Sequence, residues 1–525
     1  MNSNKKVAKK HYSNRRFSNK AKAHDCEAQD SRRKSKFDSG ERVDTTHAYN
    51  DVSWYTKNSQ MLEDSASYSY NQALGAKLKS PWEGYETVNA IPGVLGLRIM
   101  PTIGRSDGSI SPANLCANNI YAFVRSRNSG AANYDQADLM IYLLAMDSLY
   151  SAWNWLKRIY GYASVYSQYN RYMPEGIAEI ENVNIQDIVQ NLADFRWFLN
   201  NAAAKIGSFC VPAVMPYFIR HSWMYSSIYK DSNNMKAQLM MFTPDGFYTY
   251  TEKTSKYGGM LKYSKVGVNS SGQYVAWTAQ SLRNYLNLML QAVSYSEDIA
   301  IISGDILKAY GENSLFKLTP VDADYSVEPT YNEEVLNQMH NSTCIGTSST
   351  ANYDITQDPD SGYLVWNPEF ASQVASRHSF FVNMPWDNVT PSNTMVGTRL
   401  CAAVQKMADN SWRLYTCGSE IVVSRWIAYW SFATGTAKLM LNTRENEVVL
   451  NGANYAASWV KHISLLSQFD WHPLMWVLNN ENSTNTVLGV VGDVSNYTLI
   501  DVDSMDSMHT TAIMSEFNIP EWGTF

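Results

Sequence analysis

The stretch DLMIYLLAMDSLYSAWNWL, residues 138–156, decides the fold class. Leu139, Tyr142, Leu143, Met146, Leu149, Tyr150, Trp153 and Leu156 recur at i, i+3, i+4 and i+7 spacing, which puts them on one face of an amphipathic helix. A face of large apolar side chains is a core face, so this helix is expected to be buried. A second run from Asn184 to Lys205 carries Ile185, Ile188, Val189, Leu192, Phe195, Trp197 and Leu199 at helical intervals, before Gly207 and Pro212 break it. A third run covers Ser281 to Ala300 with Leu282, Tyr285, Leu286, Met289, Leu290 and Val293. An apolar follow-on then reaches Tyr310 and the stop signal Gly311.

Between and after these helices the period changes. Residues 238–268 contain β-rich runs separated by PDG and YGG, which read as hairpin turns. Residues 341–445 are rich in Ser, Thr, Asn, Pro and Gly, with candidate strands at Gly362–Trp366, Ser379–Asn383, Trp412–Cys417 and Glu420–Ala428. Apolar periodicity returns around Ala456–Phe469. The expectation is an α+β protein: a predominantly helical domain built from both ends of the chain, with a β-rich module inserted and standing off it. The boundaries fall at 1–65, 66–340, 341–455 and 456–525.

Charge separates the first of these segments from the rest. The first 24 residues hold eight Lys or Arg and no Asp or Glu. Through position 42 there are thirteen basic and five acidic residues, a local charge of +8, so the remainder of this chain of net charge −6 carries −14. The candidate polyanion contacts are Lys5, Lys6, Lys9, Lys10, Arg15, Arg16, Lys20, Lys22, Arg32, Arg33, Lys34 and Lys36. Each Lys or Arg that neutralises a phosphate releases a counterion, whatever the base sequence. After Met1, Val7, Tyr12 and Phe17 are the only large apolar groups among the first 24 residues, too few to offset ordering entropy, so a disordered arm is expected. The arm also lacks the aromatic platforms of a single-strand reader and the apolar face of an interfacial helix. Non-specific retention of nucleic acid fits it better than sequence reading or stable membrane association; a nuclear localisation patch or a solvated tail are the plainer alternatives.

The body carries few signs of catalysis. No P-loop, H-E-x-x-H, dinucleotide fingerprint or G-D-D motif occurs. Asp470, His472 and His462 form the densest titratable cluster, and a satisfied structural histidine is its plainer reading. The pairs Asp322/Asp324, Asp358/Asp360 and Asp501/Asp503 each offer two carboxylates where calcium takes about six or more oxygens. No enzyme, metal or cofactor is expected. Cysteines at 26, 116, 210, 344, 401 and 417 form no C-x-x-C pair, as in a chain that matures in a reducing compartment. No signal peptide or membrane span is legible, so synthesis in the cytoplasm is expected. With 34 Tyr and 16 Trp, the chain is well supplied for extensive interfaces as well as cores.

Four blocks carry a family resemblance: NDVSWYTKNSQMLEDSASYSYNQALG at 50–75, MPTIGRSDG at 100–108, NNIYAFVRSRNSGAANYDQADLMIYLLAMDSLY at 118–150 and SEDIAIISGDILKAYGENSLFKL at 296–318. In sequence and order they resemble the capsid proteins of picobirnaviruses. The resemblance implies a virion protein that self-assembles, through dimers, into an icosahedral shell around a double-stranded RNA genome. It implies a helical shell domain bearing a β-rich projecting domain, a basic arm that holds RNA, and proteolytic release of that arm within about 40–65. An RNA-coating nucleoprotein that forms open oligomers is the alternative from another class.

Overall fold

The computed structural model describes residues 54–67, 90–167, 170–234, 237–252, 258–347, 351–370, 379–431, 436–442, 447–450, 465–481, 484–491 and 497–517. The chain divides into two compact units, 1–72 and 73–525. In the first, the described part is a helix, Ser59–Ala66, whose N-cap Asn58 accepts hydrogen bonds from the amides of Gln60 and Met61; none of the helix's residues is buried.

The second unit mixes helix and strand and is organised around the helix Gln136–Ser164. It starts where the sequence supplies a capping box: the Asp135 carboxylate accepts from the amides of Ala137 and Asp138, and Asp138 bonds back to the cap amide. The structure departs from the one-faced reading, because 25 of the 29 residues are buried. Met140, Ile141, Leu144, Ala145, Ala152, Trp155 and Ile159 fill the opposite face. Neighbours explain this: helices Pro112–Arg127, Leu192–Ile206, Pro216–Ser226 and Ala279–Ser294 and strand Gly246–Thr251 pack around it. An all-round apolar helix is a central helix. Its polar tips reach backbone: Tyr142 donates to Cys210 O at 2.8 Å and Trp153 Nε1 to Leu199 O at 2.9 Å.

The other two helical runs are each divided. The run from Asn184 forms Ile185–Gln190 and Leu192–Ile206, with Asn191 ending the first and preceding the second; its side-chain amide donates to Asp187 O at 2.8 Å. Phe195, Leu199, Ala202 and Ile206 face the core at i, i+4 and i+3 spacing, whereas Trp197 lies off that face and is 65% exposed. The run from Ser281 forms Ala279–Ser294 and Glu297–Tyr310, because Ser296 caps the second helix through the amide of Ile299. Gly311 ends it as expected, with φ +81°, which favours glycine.

A mixed five-stranded sheet lies against the helices, in the order Thr436–Asn442, Glu420–Ser431, Ala90–Pro101, Leu239–Pro244, Tyr229–Lys230. Ala90–Pro101 runs antiparallel to Glu420–Ser431 and parallel to Leu239–Pro244. The expected hairpin at PDG is not formed. Leu239–Pro244 stays in the large sheet, the amide of Asp245 bonds to Ile99 O at 2.9 Å, and Gly246–Thr251 pairs instead with Met260–Lys265. Gly258 and Gly259 of the YGG segment do lie in the connection between those last two strands, and Tyr257 lies outside the described residues. At Gly246 a Cβ would stand 2.4 Å from the carbonyl oxygen of Ser264, backbone that cannot yield cheaply. We expect Gly246→Ala to lower stability by about 1–3 kcal/mol in thermal or urea unfolding, the usual cost of overpacking.

The strands read in the β-rich region are largely present. Ser379–Asn383 and Trp412–Cys417 match, while the strand read at Gly362–Trp366 contracts to Leu364–Val365, paired with Thr356–Gln357. Glu420–Ser431 extends beyond its expected end, and its location corrects the sequence reading. It is registered with Ala90–Pro101 from Pro101↔Glu420 to Ala90↔Ser431, so it is core sheet and not part of a module standing off the helices. A separate sheet is formed by Glu447–Leu450, Met475–Glu481 and Thr484–Val491. Most of Ala456–Phe469 lies outside the described residues. The helix Val502–Glu516 packs on Pro112–Arg127 and Trp412–Cys417, burying Met505, His509, Ala512 and Ile513.

Candidate functional site

The twelve basic residues proposed from the sequence, Lys5 through Lys36, lie outside the described residues, as do His462 and Cys26. The described body holds two kinds of feature relevant to function: a buried charge network that locks its elements together, and apolar side chains left on its surface.

The network begins inside the apolar run, at Asp147 of the central helix. His221 Nδ1 lies 2.6 Å from Asp147 Oδ2, and His221 Nε2 lies 3.1 Å from Glu420 Oε1, with all three residues buried. Arg220 completes the cluster with a two-pronged contact to Glu420, Nε to Oε1 at 2.7 Å and Nη2 to Oε2 at 2.8 Å, and also donates to Gln338 Oε1 at 3.0 Å. Ser419 Oγ donates to Glu420 Oε1 at 2.8 Å. Two acids and two bases cancel. Burial alone would pull the His221 imidazole down, but the carboxylates of Asp147 and Glu420 outweigh it and hold His221 at about 10. Burial pushes Glu420 up, and Arg220 and His221 more than reverse that, leaving it well below the usual carboxylate range. A histidine held as a cation between two acids is a poor general base, so the cluster reads as a clamp between the central helix, the helix Pro216–Ser226 and the strand Glu420–Ser431.

A second buried pair repeats the device about three turns further along the central helix. Arg158 donates through Nε and Nη2 to Glu181 Oε1 at 2.9 and 2.5 Å, and its remaining donors reach Ser227 O at 3.0 Å and Phe242 O at 2.7 Å. One guanidinium thus joins two helices, a helix end and a sheet strand.

The other titratable candidates have structural work. His472 Nδ1 lies 3.0 Å from Pro473 O, and His472 O contacts His340 Nδ1; the amide of Asp470 donates to Asp231. Asp358 closes a turn by accepting from Asp360 and Ser361 amides, and Asp501 caps Val502–Glu516. Among the described residues no group of three or more His, Cys, Asp or Glu is arranged for a metal ion, and no helix is long and apolar enough to cross a membrane. Residues 104–108, Gly-Arg-Ser-Asp-Gly, fit the G-x-S-x-G pattern of a nucleophile elbow. Ser106 is fully buried, however; its hydroxyl donates to Leu364 O at 2.6 Å and accepts from Asn114 Nδ2 at 3.1 Å. It staples a loop and presents no nucleophile. The described cysteines, 116, 210, 344, 401 and 417, are free thiols.

The surface carries large apolar groups on several distinct elements. Leu288 and Tyr295, 58% and 85% exposed, border an open groove between the hairpin Gly246–Lys265 and the helix Ala279–Ser294. On the ribbon of Ser379–Asn383 with Tyr497–Asp501, Phe381 and Leu499 stand directly opposite each other on the outer face, while Phe380, Val382 and Ile500 turn into a satellite core. Trp197 projects from Leu192–Ile206.

Comparison with known proteins places this architecture. The family model described as picobirnavirus capsid protein matches residues 54–413. A capsid protein precursor from human picobirnavirus (strain Human/Thailand/Hy005102/-) is 29% identical over 514 residues, covering 90% of this chain and 92% of the relative. The X-ray crystallographic structure of the picobirnavirus capsid superposes with a TM-score of 0.76 at 21% identity, covering 90% of this chain and 99% of the other, and so shares the fold. On the extent of the family match, the chain belongs to the picobirnavirus capsid proteins.

Proposed function

We propose that this capsid protein assembles through dimers into an icosahedral shell that encloses double-stranded RNA, and that its basic N-terminal arm holds the RNA without reading sequence. The observation that carries the RNA part is the charge split: +8 through position 42 against −14 for the rest. An acidic body repels a polyanion, so attraction has to come from the arm, and many arms gathered in one cavity act by avidity even when each is weak. The apolar side chains on separate elements, Leu288 and Tyr295, Phe381 and Leu499, and Trp197, support several different contacts between copies, which closing a shell requires. The buried clamps suit a subunit that contributes shape and rigidity and performs no catalysis.

The division into shell and projection is part of the same proposal. The shell domain comprises 66–340 with the C-terminal return 456–525, and the projecting domain is drawn from 341–455, less the core-sheet strands Glu420–Ser431 and Thr436–Asn442. A two-stranded sheet within that range that shares no strand with the core sheet, Ala402–Lys406 with Trp412–Cys417, supports a separate β-rich part. Synthesis in the host cytoplasm completes the reading.

The arm is tested by replacing Lys5, Lys6, Lys9, Lys10, Arg15 and Arg16 with Ala. Particle yield should be unchanged and RNA per particle reduced partway, as read by absorbance and by gel after extraction. RNA loading equal to that of the unmodified protein would remove the arm's charge from the account.

A further inference from the structure

Arg98 stands in the middle of the core sheet, flanked in register by Ser424 on one neighbouring strand and Thr243 on the other. Registered partners point to the same face, so Ser424, Arg98 and Thr243 form a row across three strands. A β-bulge falls between Arg98 and Ile99 against Glu420–Ser431, a device that re-aims a side chain. Arg98 and Thr243 are 0% exposed and Ser424 is 3% exposed.

The row carries a buried cation with no acid beside it. The Arg98 guanidinium carbon lies 4.2 Å from the ring centroid of Trp426 and 4.9 Å from that of Tyr274. Stacking of that kind engages the face of a guanidinium and leaves its N–H edges free. Among the described residues Nε, Nη1 and Nη2 of Arg98 meet no acceptor in good hydrogen-bond geometry, nor does Oγ1 of Thr243; the one side-chain oxygen that interacts with the guanidinium is the neutral hydroxyl of Tyr274. Ser424 Oγ accepts from Trp426 Nε1 at 2.9 Å and keeps its O–H free to donate. The acid on this part of the sheet, Asp245, is engaged elsewhere: its Oδ2 accepts from the Tyr263 hydroxyl at 2.9 Å and lies 3.7 Å from Lys265 Nζ. Buried donors in native proteins find partners, and a buried charge with none is among the most costly arrangements a fold can hold.

We propose that the Ser424–Arg98–Thr243 row binds a small inorganic oxyanion of the phosphate class. The guanidinium fork matches two oxygens of such an ion, and the two hydroxyls flank it on either side. Tyr274, edge-on to Trp426 with centroids 4.9 Å apart, forms the lid. It belongs to an exposed turn in which Gly272 has φ +73°, so the lid is the part of the enclosure nearest solvent. The bound ion would neutralise a charge at the centre of the sheet for which the described residues supply no carboxylate.

The test is thermal unfolding of the full-length protein, with phosphate replacing chloride at constant ionic strength. The expected result is a melting temperature that rises with phosphate and saturates. Arg98→Met should abolish that dependence, and in phosphate-free buffer should melt no lower than the unmodified protein, since it removes an unpaired charge. Thr243→Val keeps the guanidinium and should move the half-saturating phosphate concentration upward about tenfold. If Arg98→Met does not fold, the unmodified protein and Thr243→Val decide the matter by calorimetric titration with phosphate. A phosphate response identical in the unmodified protein and the variants, or no saturable response in the unmodified protein, would overturn the site and leave Trp426 and Tyr274 as the partners of Arg98.

Discussion

Leu143→Asp or Trp153→Asp eliminates soluble protein. Both positions lie in the central helix, Leu143 fully buried and Trp153 1% exposed, and that helix is enclosed on every side. Taking a carboxylate out of water unpaired costs several kcal/mol, and the base nearest position 153, Lys157, has its Nζ 5.7 Å from the indole centroid. Trp153→Asp also leaves a cavity and removes the hydrogen bond that the indole makes to Leu199 O at 2.9 Å. Against a typical stability of about 5–15 kcal/mol, either loss leaves little or no folded protein. Trp153→Phe, which keeps most of the volume and forfeits the hydrogen bond, should cost about 1 kcal/mol and still give particles. Expression trials with a solubility assay check all three. Normal particles from either Asp variant would show that the helix is not the centre of the fold.

Glu420→Gln should be nearly as damaging and has a pH signature. The change strands Arg220, which makes two bonds to that carboxylate, and takes away one of the two acids that hold His221 protonated. Breaking a buried pair by removing one partner typically costs about 3–5 kcal/mol. His221 carries a folded value of about 10 against an ordinary 6.5, so its contribution is fully present below about 6.5 and is lost as pH rises through about 10. Glu420 is depressed, so its contribution is present above its ordinary value of 4.5 and is lost as pH falls through its folded value. Melting temperatures taken from pH 6 to pH 10.5 should therefore fall for the unmodified protein, and in Glu420→Gln the fall should begin at lower pH. Coincident profiles would mean that His221 does not depend on Glu420.

Much of the scaffold was legible in the chain. The apolar spacing from Leu139 to Leu156 located the central helix, and Gly311 marked the end of the last helix of the 281–310 run, because those signals are local. The breaks inside the two longer runs depend on single capping residues, Asn191 and Ser296, which sit within otherwise continuous apolar spacing and are hidden by it. The placement of Glu420–Ser431 was missed, although its composition held a clue. EIVVSRWIAYWS is nearly continuous in apolar residues, as in strands covered on both faces, where a strand of a module with one solvated face would alternate.

The charge network was not legible as a network. Asp147 and His221 are 74 residues apart, Arg220 and Glu420 200 apart, and no spacing rule links residues at such distances. The trace that sequence does leave is the presence of Asp147 and Arg158 within an apolar helix, since a charge at a buried position needs a partner somewhere. The Arg98 row is similar: it arises only when three distant segments are laid side by side. The arm is the reverse case, because its proposed role rests on composition, which needs no fold to be read.

The most direct test of the account is negative-stain electron microscopy of the full-length protein beside a 43–525 truncation, with the ratio of absorbance at 260 and 280 nm for each. A shell-forming body with an RNA-holding arm predicts closed, uniform particles from both, with nucleic acid in the full-length sample alone. Absence of closed particles from the full-length protein, or equal nucleic acid in both, would contradict it.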